Sequence, residues 1–242
     1  MPLLVSLLSF VLALLGLQAP RPAAAEVGEN AFELREEFFV LEQPHGEDLT
    51  DSEVVGWAAW RRRSDEQGTT LQLEVELPSA DTRVLHVERC GGFADDLVWR
   101  ELHPRFGRTL RAVRNEHESN LAVVEWGGIQ ARRRSFDAAA RFPLTYSERL
   151  RKGVEGPGSL VWFDPLAGAP VDLSVVVNAA DREGRSNARS VEMRRVDGTL
   201  AVSYEFEGEA LHGFRWHGGG VVARRVDSAV WDARPRSVGG SP

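Results

Sequence analysis

Hydrophobic and polar residues alternate along most of this chain with a period of two. The clearest run covers residues 71–77, where four aliphatic side chains alternate with Gln72, Glu74 and Glu76. Residues 31–43 show the same alternation. Successive side chains of a β-strand point to opposite faces, so this pattern predicts strands with one covered face and one wet face.

Similar runs predict strands along the whole chain, separated by short polar or glycine-containing turns. They cover residues 31–43, 53–64, 71–77, 82–89, 97–102, 109–114, 120–126, 129–135, 159–163, 171–178, 190–196, 199–207, 210–216 and 221–227. Many short strands at close spacing are typical of an antiparallel meander. So many strands usually curl or split into two layers. The sequence therefore predicts a mainly β fold, a curved antiparallel sheet arranged as a half-barrel or sandwich.

One segment, residues 143–152, breaks the alternation. It has Pro143 where a first helical turn tolerates proline, and Gly153 just past its end. Tyr146 and Leu150 lie one helical turn apart and provide an apolar contact. This pattern predicts a single short helix that packs on a sheet face or closes one end of the sheet.

Two segments repeat one motif. Residues 121–137 and 214–227 each run from a tryptophan through a glycine turn into Ala-Arg-Arg and end in aspartate. Glycines between two strand-like runs are a hairpin signal, because only glycine adopts positive φ freely. The motif predicts one sheet-building unit that is used twice.

The first seventeen residues are apolar and uncharged, and they lead to three consecutive alanines ending at Ala25. This is typical of a signal peptide covering residues 1–25, although no basic residue precedes the apolar run. The run is shorter than the roughly 20 residues of a membrane span, so cleavage after Ala25 is favoured over the alternative, an uncleaved membrane anchor. Cleavage predicts an exported, periplasmic or extracellular protein with a single antiparallel β domain at residues 26–231 and a disordered tail at 232–242.

Charge and cysteine content narrow the function classes. The formal net charge is −7, or −8 once Arg21 leaves with the leader, which disfavours nucleic acid as a partner. Cys90 is the only cysteine, so no intrachain disulfide forms. No phosphate-binding glycine loop and no nucleophile elbow are present, and no cofactor is predicted.

Reactive side chains give no local catalytic or metal-binding motif. His86 and Cys90 lie about 13 Å apart along a strand, too far for a base to activate the thiol. No two of the six histidines stand two or four residues apart, so no metal site is predicted. Glu116 and Glu118 have a spacing that some glycosidases use, but wet strand faces offer many such pairs. A hydrolase assembled from distant residues, with His103 and His117 as further candidates, is the least favoured function.

Two arginine triplets, residues 61–63 and 132–134, say more about a possible binding site than the reactive side chains do. Because strand side chains alternate, at least one guanidinium of each triplet faces the side that its neighbours use for the core. An unpaired buried guanidinium is costly. Such an arginine either lies at a strand end in solvent, or pairs with a glutamate such as Glu125, or lines a cavity with an apolar wall and a cationic mouth. The last arrangement suits an amphiphile with an anionic head.

The seven tryptophans lie in or beside the predicted strands, where most are expected to fill the core and a few to line a pocket. Together with the arginines they supply the candidate ligand-binding residues. These are Trp57, Trp60, Arg62, Trp126, Arg133 and Trp216.

The predicted protein resembles the periplasmic β half-barrel proteins of the LolA/LolB type. The shared features are a leader, a long antiparallel meander without disulfides, one helix in mid-chain and a tryptophan-rich interior. The resemblance is architectural and covers most of residues 31–227, and no family motif transfers residue by residue. It implies a carrier or sensor that holds acyl chains on a concave sheet face. The leading interpretation is thus an exported, non-enzymatic protein that binds a lipid or amphiphile. The alternative is an assembly protein that docks a protein partner through a sheet edge or an aromatic patch.

Overall fold

The computed structural model describes residues 33–45, 52–91, 94–103, 107–115, 120–127, 130–137, 139–179 and 188–235 of the 242-residue chain. The predicted signal peptide and the candidate carboxylate pair Glu116 and Glu118 lie outside these residues. Compact packing groups residues 32–242 as one unit.

The described residues form fourteen strands, two helices and one short 3-10 turn. The strands are β1 (Glu33–Pro44), β2 (Ser52–Asp65), β3 (Gly68–Leu77), β4 (Thr82–Cys90), β5 (Ala94–Leu102), β6 (Gly107–Asn115), β7 (Asn120–Gly127), β8 (Gln130–Asp137), β9 (Gly158–Asp164), β10 (Ala169–Ala179), β11 (Ala188–Arg195), β12 (Leu200–Glu207), β13 (Ala210–Trp216) and β14 (Val221–Val226). The helices are α1 (Pro143–Arg151) and α2 (Ser228–Asp232), and Pro78–Ala80 is the 3-10 turn. The prediction of a mainly antiparallel, curved sheet with a short mid-chain helix is confirmed.

All fourteen strands belong to one sheet. Its order is β8-β7-β6-β5-β4-β3-β2-β1-β14-β13-β12-β11-β10-β9, so two meanders meet where β1 pairs antiparallel with β14. The two repeated motifs are both hairpins, but β7–β8 ends the sheet whereas β13–β14 lies in its middle. The chain passes from one end strand, β8, to the other, β9, through α1.

One face of the sheet carries most of the large buried side chains, and we call it the inner face. Phe39, Trp60 and Leu71 on one meander and Val191 and Tyr204 on the other belong to its core cluster. Helix α1 packs on this face, where Tyr146 and Leu150 join the same cluster. Burial of this apolar stripe fixes a helix that would be too short to persist alone in water.

Strand β9 is buried on both sides. Leu160 and Trp162 join the core cluster of the inner face, whereas Phe163, fully buried, belongs to a second cluster with Leu97 and Leu110. The segment before α1 pairs with β9 as well, since the backbone nitrogen of Phe163 donates to the oxygen of Arg141 at 3.0 Å. The end of the sheet at β9 is therefore covered on both faces and contacts the segment before α1.

Helix α2, which the sequence did not predict, packs on the opposite, outer face. Trp231 stacks on Phe38 of β1 with ring centroids 4.9 Å apart. Arg234 lies 3.7 Å from the Trp231 ring and pairs with Glu76 at 3.2 Å. Asp232 to Arg234 thus belong to the folded domain, where the sequence predicted the start of a tail, and residues 236–242 lie outside the described part. Neither described helix is long and apolar enough to cross a membrane.

Candidate functional site

The first turn of α1 is held by a carboxylate from the sheet. Glu88 of β4 is fully buried and accepts hydrogen bonds from the backbone nitrogens of Leu144 at 2.8 Å and Thr145 at 2.6 Å. His86, two residues earlier on the same face, lies 2.8 Å from the same carboxylate. A carboxylate at a helix N-terminus satisfies unpaired N–H groups and complements the helix dipole. Glu88 therefore fixes where α1 begins on the inner face.

The last turn of α1 is held by a buried ion pair. Arg151 donates to Glu37 of β1 at 2.7 Å, and both side chains are 1 % exposed. The Arg151 guanidinium also lies 4.3 Å from the centre of the Trp60 ring. Arg189 of β11 donates to the last carbonyl oxygens of the helix, those of Leu150 and Arg151. Both ends of α1 are thus anchored to the sheet.

Between the anchored helix and strands β2 to β6 lies a pocket of about 350 Å³, which we call the inner pocket. Its walls come from the inner face of the sheet, from α1 and from the segment just before α1. The lining residues are Arg62, Thr69, Leu71, Cys90, Gly91, Asp95, Arg114, Arg141, Phe142, Thr145, Tyr146, Glu148, Arg149 and Lys152.

The inner pocket is cationic although the protein is acidic. Five of its side chains are basic and two are carboxylates, against a net charge of −7 for the chain. Arg114 is bonded to Asp95, and Arg149 pairs with Glu155 at 2.6 Å. Among the described residues Arg141 has no ion pair. A cluster of guanidinium groups in a partly dry pocket favours an anionic ligand.

The remaining wall of the pocket is apolar and includes one thiol. Leu71, Phe142 and Tyr146 are buried, and Cys90 is half-buried. Burial raises the pKa of the Cys90 thiol, against a smaller lowering by the Thr145 hydroxyl. The thiol is therefore protonated at neutral pH, which gives Cys90 the character of a small apolar wall residue rather than a nucleophile.

The structure divides the six predicted ligand-binding residues between the two faces. Trp60, Arg62 and Trp216 lie on the inner face, and Trp57, Trp126 and Arg133 lie on the outer face. Of the six, Arg62 lines the inner pocket. Trp60 is 2 % exposed beneath Arg151, and Trp216 packs edge-on against Phe214 at 4.9 Å.

The second arginine triplet, residues 132–134, is divided between the two faces of β8. Arg133 is exposed on the outer face, because the inner face of β7 carries the buried Val123, which pairs in register with Arg134. Arg134 pairs with Glu125 at 3.0 Å, as the glutamate alternative predicted. Arg132 and Arg134 both lie on the inner face by register, and Arg134 is neutralised within the sheet by Glu125, outside the lining of the inner pocket.

Sequence reasoning missed most of the pocket. The residues it missed include Asp95, Arg114, Arg141, Glu148, Arg149 and Lys152. One signal was available: Thr145, Glu148, Arg149 and Lys152 recur at positions i, i+3, i+4 and i+7, which marks a single polar stripe on α1. The sheet residues carry no comparable signal, because their convergence on the helix depends on sheet curvature.

The other predicted sites do not converge. In the described part of the chain no group of three histidine, cysteine or acidic residues is placed to hold a metal ion. His86 contacts Glu88 in the helix anchor, and His217 contacts the Ser203 hydroxyl at 3.1 Å. His117 lies outside the described residues. A second, more open depression of about 560 Å³ lies along β9 to β11, but its Arg194 is already bound to Glu192 at 2.6 Å.

Comparison with known proteins shows the fold. No family model matches the chain, and neither does any curated protein sequence. Among solved structures, the chain is similar to the beta-barrel-like protein of domain of unknown function DUF1849 from Brucella abortus. The TM-score is 0.54 at 11 % sequence identity, over 79 % of this chain and 95 % of that chain. The likeness supports a β-barrel-like fold, whereas the narrower resemblance to LolA and LolB stays a prediction.

Proposed function

We propose that this protein binds a small anionic amphiphile, without chemical conversion, in the inner pocket. The supporting observation is the combination of five basic side chains with the apolar surfaces of Leu71, Phe142 and Tyr146. Ligand pockets commonly span about 300–1,000 Å³. A volume of about 350 Å³ suits a single medium-length acyl group better than a whole phospholipid.

Arg141 is the proposed anchor for the acidic head. It lies on the segment that joins β8 to α1, and its backbone, not its side chain, makes the bridge to β9. Arg141 is half-buried and is one of the residues that line the pocket. An arginine offers two parallel N–H groups to a carboxylate or phosphate, so it holds such a group in a fixed orientation.

Isothermal titration with decanoate and decyltrimethylammonium tests this proposal, because the two probes share a chain and differ in head charge. We expect decanoate to bind and the cationic probe to give no heat of binding. The Arg141→Ala variant should bind decanoate about tenfold more weakly, as expected for loss of a charged hydrogen bond. Arg133→Ala, which removes an exposed arginine of the outer face, is the matched control. Equal binding of both probes, or an equal loss in both variants, would contradict the proposal.

We also propose that the protein acts after export. The support is the apolar, uncharged leader that ends in three alanines before Glu26. The intact mass of protein recovered from an exporting host should correspond to a chain that begins at Glu26. A mass that includes the leader would favour the membrane-anchor alternative.

Assembly through a sheet edge is the second candidate, and end strand β8 is the observation that favours it. In the described part of the sheet β8 pairs with β7 alone, and residues 131–135 are exposed. Edge strands offer unpaired backbone groups to another chain, although exposed arginines at positions 132 and 133 disfavour such pairing. Light scattering over a range of protein concentrations tests self-assembly through this edge. A monomer at every concentration counts against it.

A further inference from the structure

The carboxylate of Glu148 is buried without hydrogen bonds. Glu148 lies on α1, lines the inner pocket and is 7 % exposed. Three cations surround it: the nitrogens Nε of Arg151 at 3.4 Å, Nε of Arg62 at 3.5 Å and Nζ of Lys152 at 3.8 Å. These distances exceed the roughly 3.2 Å limit of a good N–H···O hydrogen bond. Among the described residues, neither carboxylate oxygen has a hydrogen-bond partner.

The other two buried carboxylates that face α1 are satisfied. Glu37 accepts from Arg151 at 2.7 Å and from Arg35 at 3.1 Å. Glu88 accepts two backbone N–H groups at 2.8 and 2.6 Å. Neither of these two glutamates lines the inner pocket, whereas Glu148 does. Buried charged groups are normally hydrogen-bonded, so the unused acceptor capacity of Glu148 at a cavity wall indicates a partner that enters the cavity.

We propose that Glu148 accepts a hydrogen bond from the ligand, and that the ligand carries a neutral donor in addition to its acidic head. The three cations already balance the charge of Glu148, so an ammonium group would meet like charges, whereas a hydroxyl adds a donor without adding charge. The chemical class that combines the acidic head, the apolar chain and this donor is a hydroxylated fatty acid. This inference rests on the proposed function and adds a specificity residue to it.

Decanoate and 3-hydroxydecanoate form a matched pair of probes that differ by one hydroxyl. In calorimetric titrations of the wild-type protein we expect one enantiomer of 3-hydroxydecanoate to bind about tenfold more tightly than decanoate, the effect of one hydrogen bond to a charged acceptor. In Glu148→Gln the preference should fall below about threefold, because the acceptor is then neutral. Glu125→Gln is the control, since Glu125 also pairs with two arginines on the inner face but lies outside the pocket.

The possible outcomes separate the role of Glu148 from the proposed function. Equal affinities for the two probes in the wild type, or a preference that persists in Glu148→Gln, would overturn the role of Glu148 and leave the proposed function intact. Absence of binding by either probe would overturn both proposals. If Glu148→Gln proves unstable, 3-methoxydecanoate tests the assignment in the wild-type protein, because it keeps the oxygen of the hydroxylated probe and lacks its donor proton. It should bind no more tightly than decanoate, and binding as tight as that of 3-hydroxydecanoate would contradict the assignment.

Discussion

The carboxylate of Glu88 on β4 lies 2.8 Å from the backbone nitrogen of Leu144 in the first turn of α1, 56 residues further along the chain. Phe142, which precedes the helix, makes no side-chain cap hydrogen bond, so the cap is supplied by the sheet. This contact sets the position of the helix and hence the shape of the inner pocket. The stability of the domain and the geometry of the pocket are therefore coupled through one glutamate.

Replacing Glu88 should destabilise the domain strongly. In Glu88→Gln the fully buried acceptor loses its charge and presents an amide N–H₂ to a backbone donor, which should lower the free energy of unfolding by about 3 kcal/mol. Urea denaturation followed by tryptophan fluorescence measures the loss. Glu53→Gln is the control, because the Glu53 side chain is 69 % exposed. A loss in Glu88→Gln no larger than that of the control would contradict the anchoring role.

The buried pair of Glu37 and Arg151 should behave as a coupled unit. Arg151→Met leaves Glu37 with fewer compensating charges in a dry environment, and we expect a loss of about 3 kcal/mol in unfolding free energy. Adding Glu37→Gln should restore part of it, because the second change removes the charge that was left unpaired. Urea denaturation of the four proteins in this double-mutant cycle gives the coupling energy. Strictly additive losses would show that the two side chains act independently.

The turn between β9 and β10 should favour glycine at position 168. Its φ is +62°, and an added Cβ would lie 2.6 Å from Nη2 of Arg134 and 3.0 Å from Cδ1 of Leu110. We expect Gly168→Ala to cost about 2 kcal/mol, partly from backbone strain and partly from crowding of the buried Leu110, since the flexible end of Arg134 can move aside. Gly208 also has a positive φ, +59°, but an added Cβ there would have no other atom within 4 Å. Substitution at Gly208 therefore measures backbone strain without crowding. Gly208→Ala should cost only about 1 kcal/mol in the same thermal or urea unfolding measurement.

The Cys90 thiol should react slowly in the folded protein. Burial raises its pKa, so at pH 8 the reactive thiolate is scarcer than in the unfolded chain, and alkylation by iodoacetamide should be slower in buffer than in urea. The same shift predicts that this thiol's contribution to stability is present below the unfolded pKa and is lost as the pH rises through the folded pKa. Mass spectrometry of alkylated protein over pH 7–10 measures the first effect. Alkylation at equal rates in both states would contradict a buried thiol.

Much of the architecture was predictable from local sequence patterns. The alternation in residues 71–77 predicted β3, and Pro143 with Gly153 predicted the limits of α1, because strand and helix periods are properties of neighbouring residues. The pairing of an inward arginine with Glu125 was one of the alternatives that alternation left open. Alternation alone did not show which residues of a strand face inward. A shift of one residue separates Arg133, on the outer face, from Arg134, on the inner face.

The sequence by itself determined the β-rich class, the mid-chain helix and the solitary thiol of Cys90, because each depends on composition or on contacts within a few residues. Only the tertiary structure decided that Glu88 caps α1, that β9 is buried on both faces and that Arg62, Arg141 and Glu148 line one pocket. Those relationships join residues tens of positions apart. They depend on sheet order and curvature, which no local period encodes.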